Sequence, residues 1–315
     1  MPSLAELTRF IADSQPEADS PATTALLAAL NRQYGRALVA VLFYGSCLRR
    51  RNHFDGLLDL YLIVDDYPAT GQSRLAILGN RLLPPNVFYL EVPVADRTVR
   101  CKYALLALTA FTRGCQGWFH PYLWGRFIQP TAILFCRNET LQETLNRARA
   151  AAVLRFVEAT LPCLPEAFSS RKLWSTGLDL SYASELRPEK PGQGERLYLA
   201  NREYYDRLAE LALPASRFPV EPVPGPEPLC FRARIPSGYR ERARRAWKLR
   251  AIQGKFLSLL RLAKAAFTFR GGSDYICWKI ERHSQVSLAP PGGGRHTPAS
   301  FARVLWRAWR QGAFR

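Results

Sequence analysis

One stretch, residues 39–66, constrains the fold more than any other part of the chain. Two apolar runs, 39–44 and 57–64, are rich in β-branched and aromatic residues, and Gly45-Ser46 and a basic connector separate them. Short apolar runs bounded by turn residues are typical of buried strands. The sequence therefore predicts two adjacent buried strands with a Gly-Ser turn at the end of the first.

Asp59 is the single acid inside the second apolar run. A carboxylate in a buried strand costs free energy unless a cation or a hydrogen-bond donor meets it. Gly45 allows the backbone to approach a ligand closely, and Ser46 adds a hydroxyl and an amide. A phosphate-binding turn beside a strand carboxylate is typical of metal-assisted nucleotidyl transfer, so Asp59 is the first candidate metal ligand.

Five blocks follow one another through the middle of the chain. They are Tyr44-Gly45-Ser46; Leu58-Asp59-Leu60 with Val64-Asp65-Asp66; Lys102-Tyr103; Tyr122-Leu123-Trp124-Gly125-Arg126 with Gln129-Pro130; and Leu164-Pro165-Glu166 with Leu180-Ser181-Tyr182. Together they resemble the mitochondrial-type phosphatidate cytidylyltransferase family (translocator assembly and maintenance protein) of the nucleotidyltransferase superfamily. The resemblance implies transfer of CMP from CTP to phosphatidic acid, which yields CDP-diacylglycerol and pyrophosphate.

The same resemblance implies roles for individual residues. Asp59 and Lys102 are the expected catalytic residues, with Lys102 near the start of a helix predicted over 100–112. The expected nucleotide-binding residues are Tyr44, Gly45, Ser46, Arg126, Ser181 and Tyr182. A surface salt bridge is the alternative role for Arg126. After Tyr182 the family continues Gly-Asp-Arg, whereas this chain has Glu185 as a longer acid that could replace the aspartate.

Mg²⁺ is the expected cofactor, with Mn²⁺ or Co²⁺ as alternatives, and Asp59 is its first expected ligand. The wider superfamily often has a second acid two residues later, but this chain has Tyr61 there. Glu91, in a strand predicted over 87–94, is the expected second ligand, with a solvent-facing role as its alternative. The second position also stays open to Asp55, Asp65 and Asp66; Asp65 lies roughly 20 Å from Asp59 along an extended strand.

The predicted fold class is α+β (α/β), with helices over 22–34 and 141–161. A nucleotidyltransferase-like mixed sheet with helices is expected over residues 1–137. A mainly helical domain, winged-helix-like by the resemblance, is expected over 138–217. A proline-rich linker at 218–228 and a basic helical segment at 229–315 complete the predicted organisation.

The final quarter of the chain carries most of its net charge of +18. Residues 232–315 contain 19 Lys and Arg against 3 Asp and Glu, which predicts an anionic partner. In 249–267 the apolar face is expected to dock on the protein body, with Arg250, Arg261 and Lys264 on the other face. In 301–310 an apolar arc lies opposite arginines, which favours adsorption to an anionic membrane.

The sequence shows no apolar run of the roughly 20 residues needed to cross a bilayer, and no secretory or transit leader. We therefore expect a cytoplasmic protein associated peripherally with the inner face of the membrane. CTP and phosphatidic acid are the expected partners, and nucleic acid is not favoured. Two alternatives remain open: a nucleotidyltransferase acting on RNA, and an inactive adaptor with this fold that binds membrane or RNA.

Overall fold

The computed structural model describes residues 4–185 and 192–268. Its main sheet contains β1 (Leu38–Tyr44), β2 (Leu58–Val64), β3 (Asn86–Val94), β4 (Arg97–Ala107) and β5 (Ala132–Cys136). The order across the sheet is β3-β4-β2-β1-β5. β1 is antiparallel to β2 and β5, β2 is parallel to β4, and β3 is antiparallel to β4. The predicted mixed sheet and α+β class are thus confirmed.

Ten helices accompany the strands in the described residues. They are α1 (Leu4–Asp13), α2 (Pro21–Tyr34), α3 (Ser46–Arg49), α4 (Arg74–Leu82), α5 (Leu108–Gly117), α6 (Glu139–Thr160), α7 (Ser170–Ala183), α8 (Gln193–Ala200), α9 (Arg202–Ala215) and α10 (Ser237–Thr268). None of the helices within the described ranges is both long and apolar enough to span a membrane.

The main sheet buries both of its faces, which explains why β1 and β2 are apolar without alternation. One face packs against α2, whose Leu26 and Leu30 are fully buried. The other face packs against α1, α5 and α6, through residues such as Ile11 and Phe156. Asp59, on this second face, is partly exposed near the start of β2.

The predicted helix over 100–112 is wrong in its first half, because β4 extends to Ala107 and α5 begins only at Leu108. Val99, Cys101 and Tyr103 alternate toward the α2 face, and β4 is hydrogen-bonded on both sides by β2 and β3. This two-residue period is that of a strand. Lys102 therefore projects from a central strand rather than from a helix start.

The predicted proline-rich linker is also wrong in part, because it contains one strand of a hairpin. A second sheet is formed by β6 (Ala167–Ser169), β7 (Val220–Pro222) and β8 (Cys230–Ala233), in the order β6-β8-β7. β7 is an edge strand, where proline is tolerated because one side of the strand needs no donors. The mainly helical region after the main sheet thus includes a small antiparallel sheet.

The prediction that the apolar face of 249–267 docks on the body is contradicted where side chains are described. Leu249, Ile252 and Phe256 are 58%, 68% and 60% exposed, while Arg250 is buried. Arg261 donates to the carbonyl of Pro84 at 3.0 Å, so its side chain also turns toward the body. The predicted helix over 301–310 lies outside the described residues.

Candidate active site

The register of three strands brings Asp59 and Lys102 together. Asp59, near the start of β2, lies opposite Tyr44 on β1 and opposite Lys102 on β4. Lys102 Nζ lies 2.7 Å from Asp59 Oδ1. The lysine supplies the cation that a carboxylate on a buried strand requires. The predicted catalytic pair is therefore a contacting ion pair at the edge of the core.

Gly45 is required by the close approach of Asp59. Its φ of +94° and ψ of −163° lie in a region that is essentially restricted to glycine. A Cβ at this position would lie 2.8 Å from Asp59 Oδ2. The turn after β1 can therefore reach Ser46 and the short helix α3 only because residue 45 has no side chain.

A cavity of about 200 Å³ opens beside this turn. Its walls come from the turn after β1, from β2, from the segment before β5 and from α7 and α8. The lining residues are Tyr44, Gly45, Ser46, Arg49, Asp59, Gly125, Arg126, Gln129, Ser181, Tyr182, Glu185 and Gln193. All six residues predicted to bind nucleotide line this one cavity, with Asp59. Lys102 is not among the lining residues and contacts one of them, Asp59.

Arg126 is held in a fixed position by two partners. Its Nη2 donates to Glu185 Oε1 at 2.8 Å and to Oε2 at 2.9 Å, its Nε donates to Oε1 at 3.2 Å, and its Nη1 donates to the Tyr61 hydroxyl at 2.9 Å. Burial opposes its charge, but Glu185 and Tyr61 more than compensate and raise the pKa of Arg126 well above its usual value. These contacts leave one N–H of the five that a guanidinium carries. Arg126 thus grips a carboxylate bidentately rather than presenting an open fork to phosphate.

Glycine is also required where α7 meets the cavity. A Cβ on Gly125 would lie 2.1 Å from Ser181 Oγ and 2.7 Å from the carbonyl oxygen of Pro121. Any side chain at 125 would therefore displace α7 or the turn that carries Arg126. The two separated sequence blocks that contain Gly125 and Ser181 meet at this contact.

The surroundings of Tyr61 explain why β2 carries a tyrosine where a second acid was sought. Its ring is fully buried and its hydroxyl accepts the hydrogen bond from Arg126. Burial raises the pKa of Tyr61 well above its usual value, so the hydroxyl stays neutral. A carboxylate at this position would place a second anion beside Glu185 around one guanidinium, whereas a phenol fills the site without added charge.

The structure does not bring the other candidate carboxylates to Asp59. Glu91 accepts hydrogen bonds from Tyr89 and, at 2.9 Å, from Arg100 Nε, two strands away from Asp59, or about 10 Å across the sheet. Asp65 pairs with Arg137 at 2.7 Å. Asp55 is mostly exposed beside Arg97, and Asp66 accepts from the backbone of Ala69. None of the four lines the cavity, so the second metal ligand remains a prediction.

A metal at this cavity would have few protein ligands. No group of three or more His, Cys, Asp or Glu side chains within residues 4–185 and 192–268 is arranged to hold a metal ion. Of the two carboxylates on the wall, Glu185 is occupied by Arg126. Asp59 pairs with Lys102 through Oδ1, whereas Arg126 engages both oxygens of Glu185. Asp59 is therefore the carboxylate on the wall that fits Mg²⁺, which often takes one or two carboxylates and completes its shell with substrate phosphates and water.

Three cavity residues add polar groups that the predicted site lacked. Gln129 accepts from Arg49 Nη1 at 3.3 Å, and both lie on the wall with Gln193. Arg49 belongs to the basic connector after the Gly-Ser turn, and Gln129 belongs to the block that contains Arg126, so both carried a sequence signal. Gln193 follows a segment outside the described residues, and no motif in the sequence marks it.

One comparison with known proteins bears on the family. Residues 68–196 match the family model described as phosphatidate cytidylyltransferase, mitochondrial. The predicted family resemblance is confirmed. The matched region contains Lys102, Arg126, Ser181 and Tyr182, whereas the Gly45 turn and Asp59 precede it. The protein is accordingly an enzyme of the nucleotidyltransferase type.

The other comparisons add little. The chain is similar to a crystal structure of a nucleotidyltransferase-like protein from Exiguobacterium sibiricum 255-15, with 13% identity over 92% of this chain and 91% of that one. The TM-score is 0.27, which supports no conclusion about function. No curated protein gave a significant match.

Proposed function

We propose that the protein transfers CMP from CTP to phosphatidic acid at a membrane surface, with Mg²⁺ as cofactor. The observation that carries the proposal is a single cavity that joins the Gly45 turn and Asp59 to Arg126 and Ser181. Two of these four residues lie in the region that matches phosphatidate cytidylyltransferases, and the other two supply the turn and the acid that the chemistry needs.

The reaction joins two polyanions, and the cations around the cavity address that difficulty. A phosphate oxygen of phosphatidic acid attacks the α-phosphorus of CTP, the bond from that phosphorus to the bridging oxygen breaks, and pyrophosphate leaves. The attacking oxygen is already an anion near neutral pH, so no strong general base is needed. Arg49 on the wall and Lys102 behind Asp59 would screen the repulsion and stabilise charge that develops on the transferring group.

Within this scheme the chain's own residues have separate tasks. The backbone after Gly45 and the hydroxyl of Ser46 would bind the triphosphate, while Asp59 would hold Mg²⁺, which when bound neutralises phosphate charge. Arg126, fixed by Glu185 and Tyr61, would hold in place the part of the cavity wall that faces Ser181. Preorganised groups of this kind need no rearrangement during the reaction.

The proposal is tested by incubating the full chain with Mg²⁺, radiolabelled CTP and phosphatidic acid vesicles. We expect labelled CDP-diacylglycerol and stoichiometric pyrophosphate, with much less product from ATP, GTP or UTP. Protein without added divalent ion is the control for the metal, and Asp59→Asn is the control for the site. Label that appears in added RNA instead of lipid would favour the RNA nucleotidyltransferase. Failure to bind CTP at all would favour the inactive adaptor.

A further inference from the structure

Two glutamines on the cavity wall, Gln129 and Gln193, have side-chain amides of fixed orientation. Gln129 Oε1 accepts from Arg49 Nη1 at 3.3 Å. Gln193 Oε1 accepts from Arg196 Nε at 3.1 Å and from Arg196 Nη2 at 2.8 Å. A guanidinium only donates hydrogen bonds, so each glutamine must turn its oxygen toward the arginine. The NH₂ groups are therefore the parts of these two side chains that are left to bind a ligand.

Both NH₂ groups are accessible. In the described parts of the chain neither group donates to another protein atom, and neither is closed off from solvent. Gln129 is otherwise buried, and both side chains line the cavity. Each amide thus offers N–H donors to a molecule that occupies the cavity.

Gln129 belongs to the end of the cavity at which the triphosphate is proposed to bind. Its partner Arg49 lies on α3, which begins directly after the Gly45 turn. The backbone of Gln129 is held as well, because its carbonyl accepts from the Thr131 hydroxyl at 3.0 Å. Phosphate oxygens only accept hydrogen bonds and are the same in every nucleotide. An NH₂ group at this end therefore suits the triphosphate whatever base the nucleotide carries.

Gln193 reaches the cavity from α8, which packs on α7 rather than on the turn. Gln193 is the first residue of α8, and the next residue fixes the helix in place. The backbone N–H of Gly194 donates to Asp179 Oδ1 at 2.8 Å, and a Cβ on Gly194 would lie 2.3 Å from the carbonyl oxygen of Ser175. The start of α8 thus lies directly against α7, and the amide of Gln193 keeps a fixed place on the wall.

We propose that Gln193 reads the base of the nucleotide and selects cytosine over uracil. The inference rests on the proposed function, which supplies CTP as the substrate. Cytosine accepts hydrogen bonds at N3 and at O2, whereas uracil carries a hydrogen on N3. The NH₂ group of Gln193 can donate to the cytosine edge, but it meets the N3–H of uracil donor against donor.

Arg196 makes this selection strict. An amide that could rotate would present its oxygen to the N3–H of uracil and accept both bases. The two hydrogen bonds from Arg196 to Oε1 oppose that rotation. A site built to match one pattern of donors and acceptors rejects a base that leaves those groups unpaired. Gln193 is thus the specificity-determining residue, and Arg196 is the residue that positions it.

The experiment measures kcat/KM for CTP and for UTP with the full chain, Mg²⁺ and phosphatidic acid vesicles. Gln193→Glu keeps the side-chain shape and the acceptor for Arg196 but replaces the NH₂ group by an acceptor oxygen. We expect the CTP/UTP ratio to fall about tenfold or more, because the new oxygen faces N3 of cytosine without a proton and accepts from N3–H of uracil. Gln129→Glu is the matched control. It should lower kcat/KM for both nucleotides and leave their ratio unchanged.

Arg196→Met tests the positioning role separately. A rotating amide can present either group, so kcat/KM for UTP should rise while that for CTP is kept. Arg196 is exposed, so this variant carries the test by itself if Gln193→Glu does not fold. Isothermal titration with CTP and with UTP should give the same ratios in the absence of turnover.

Three results would overturn the inference. An unaltered protein that prefers neither CTP nor UTP has no selection to explain. Equal losses for both nucleotides in Gln193→Glu would place this residue at the phosphates or the sugar. An equal fall of the ratio in Gln129→Glu would show that added charge, and not the position of Gln193, changes the ratio. Failure of the proposed function would look different, because the unaltered protein would then form no CDP-diacylglycerol, and the titrations would still report base selection.

Discussion

Gly45→Ala is the substitution that should damage the site most for the fewest added atoms. The backbone at residue 45 lies in a region where a side chain costs about 1–3 kcal/mol of strain. The added Cβ would also lie 2.8 Å from Asp59 Oδ2, so that oxygen must move by about 0.7 Å to reach an ordinary contact of about 3.5 Å. Such a movement disturbs the contact between Asp59 and Lys102.

We expect two separable effects from Gly45→Ala. The free energy of unfolding, measured by urea denaturation, should fall by about 1–3 kcal/mol. CTP-dependent turnover should fall by about a hundredfold, because displacements near 1 Å at a reacting centre can cost that much. Gly71→Ala is the matched control, since Gly71 also has a positive φ, of +67°, but nothing lies within 4 Å of its added Cβ. Gly71→Ala should lose stability and keep turnover. If Gly45→Ala keeps turnover as well, the close approach to Asp59 does not serve the reaction.

Three further predictions address the charges. Asp59→Asn should keep the fold, as judged by circular dichroism, because the shape of the side chain is retained. It should lower turnover about a hundredfold or more, because the anion is lost. Near-normal turnover would reject Asp59 as a metal ligand. Arg126→Met should lower the free energy of unfolding by about 3 kcal/mol, because Glu185 loses the guanidinium that it grips bidentately. Arg126→Met/Glu185→Met should recover most of that loss in urea denaturation, and equal losses in the single and double variants would contradict this. Burial, with Arg261 nearby, lowers the pKa of His120 to about 4, against about 6.5 in an unfolded chain. Between these two pH values the unfolded state binds more protons than the folded state. The free energy of unfolding should therefore fall by about 3 kcal/mol as the pH drops from about 6.5 to about 4. His120→Gln should lack this pH-dependent loss of stability.

The parts of the fold that the sequence predicts well are those in which one local pattern dominates. The apolar runs at 39–44 and 57–64 match β1 and β2 closely, because both faces of the sheet are covered and nearly every side chain must be apolar. The start of α2 is equally local. Ser20 accepts from the backbone N–H of Thr23, and Pro21 occupies the first turn.

The misplaced helix at Lys102 shows where local patterns fail. The segment 100–112 contains the end of β4 and the start of α5, and the apolar residues of the two elements merge into one plausible helical face. What decides the outcome is pairing with β2 and β3, and those strands are distant in sequence. Local patterns could not predict the partner of Arg126 either, because Glu185 lies 59 residues away and only the packing of α7 brings it close.

The orientation of α10 was predicted wrongly for a different reason. An amphipathic pattern identifies two faces of a helix without saying which of them turns inward. Burying the apolar face would have gained about 25 cal/mol for each Å² removed from water. The chain instead buries cations, and burial lowers the pKa of Arg250 to about 10 and that of Lys264, with Arg261 nearby, to about 8. Both shifts show that the charged forms are disfavoured in place. A helix that gives up apolar burial and also encloses charges is therefore not arranged for stability alone.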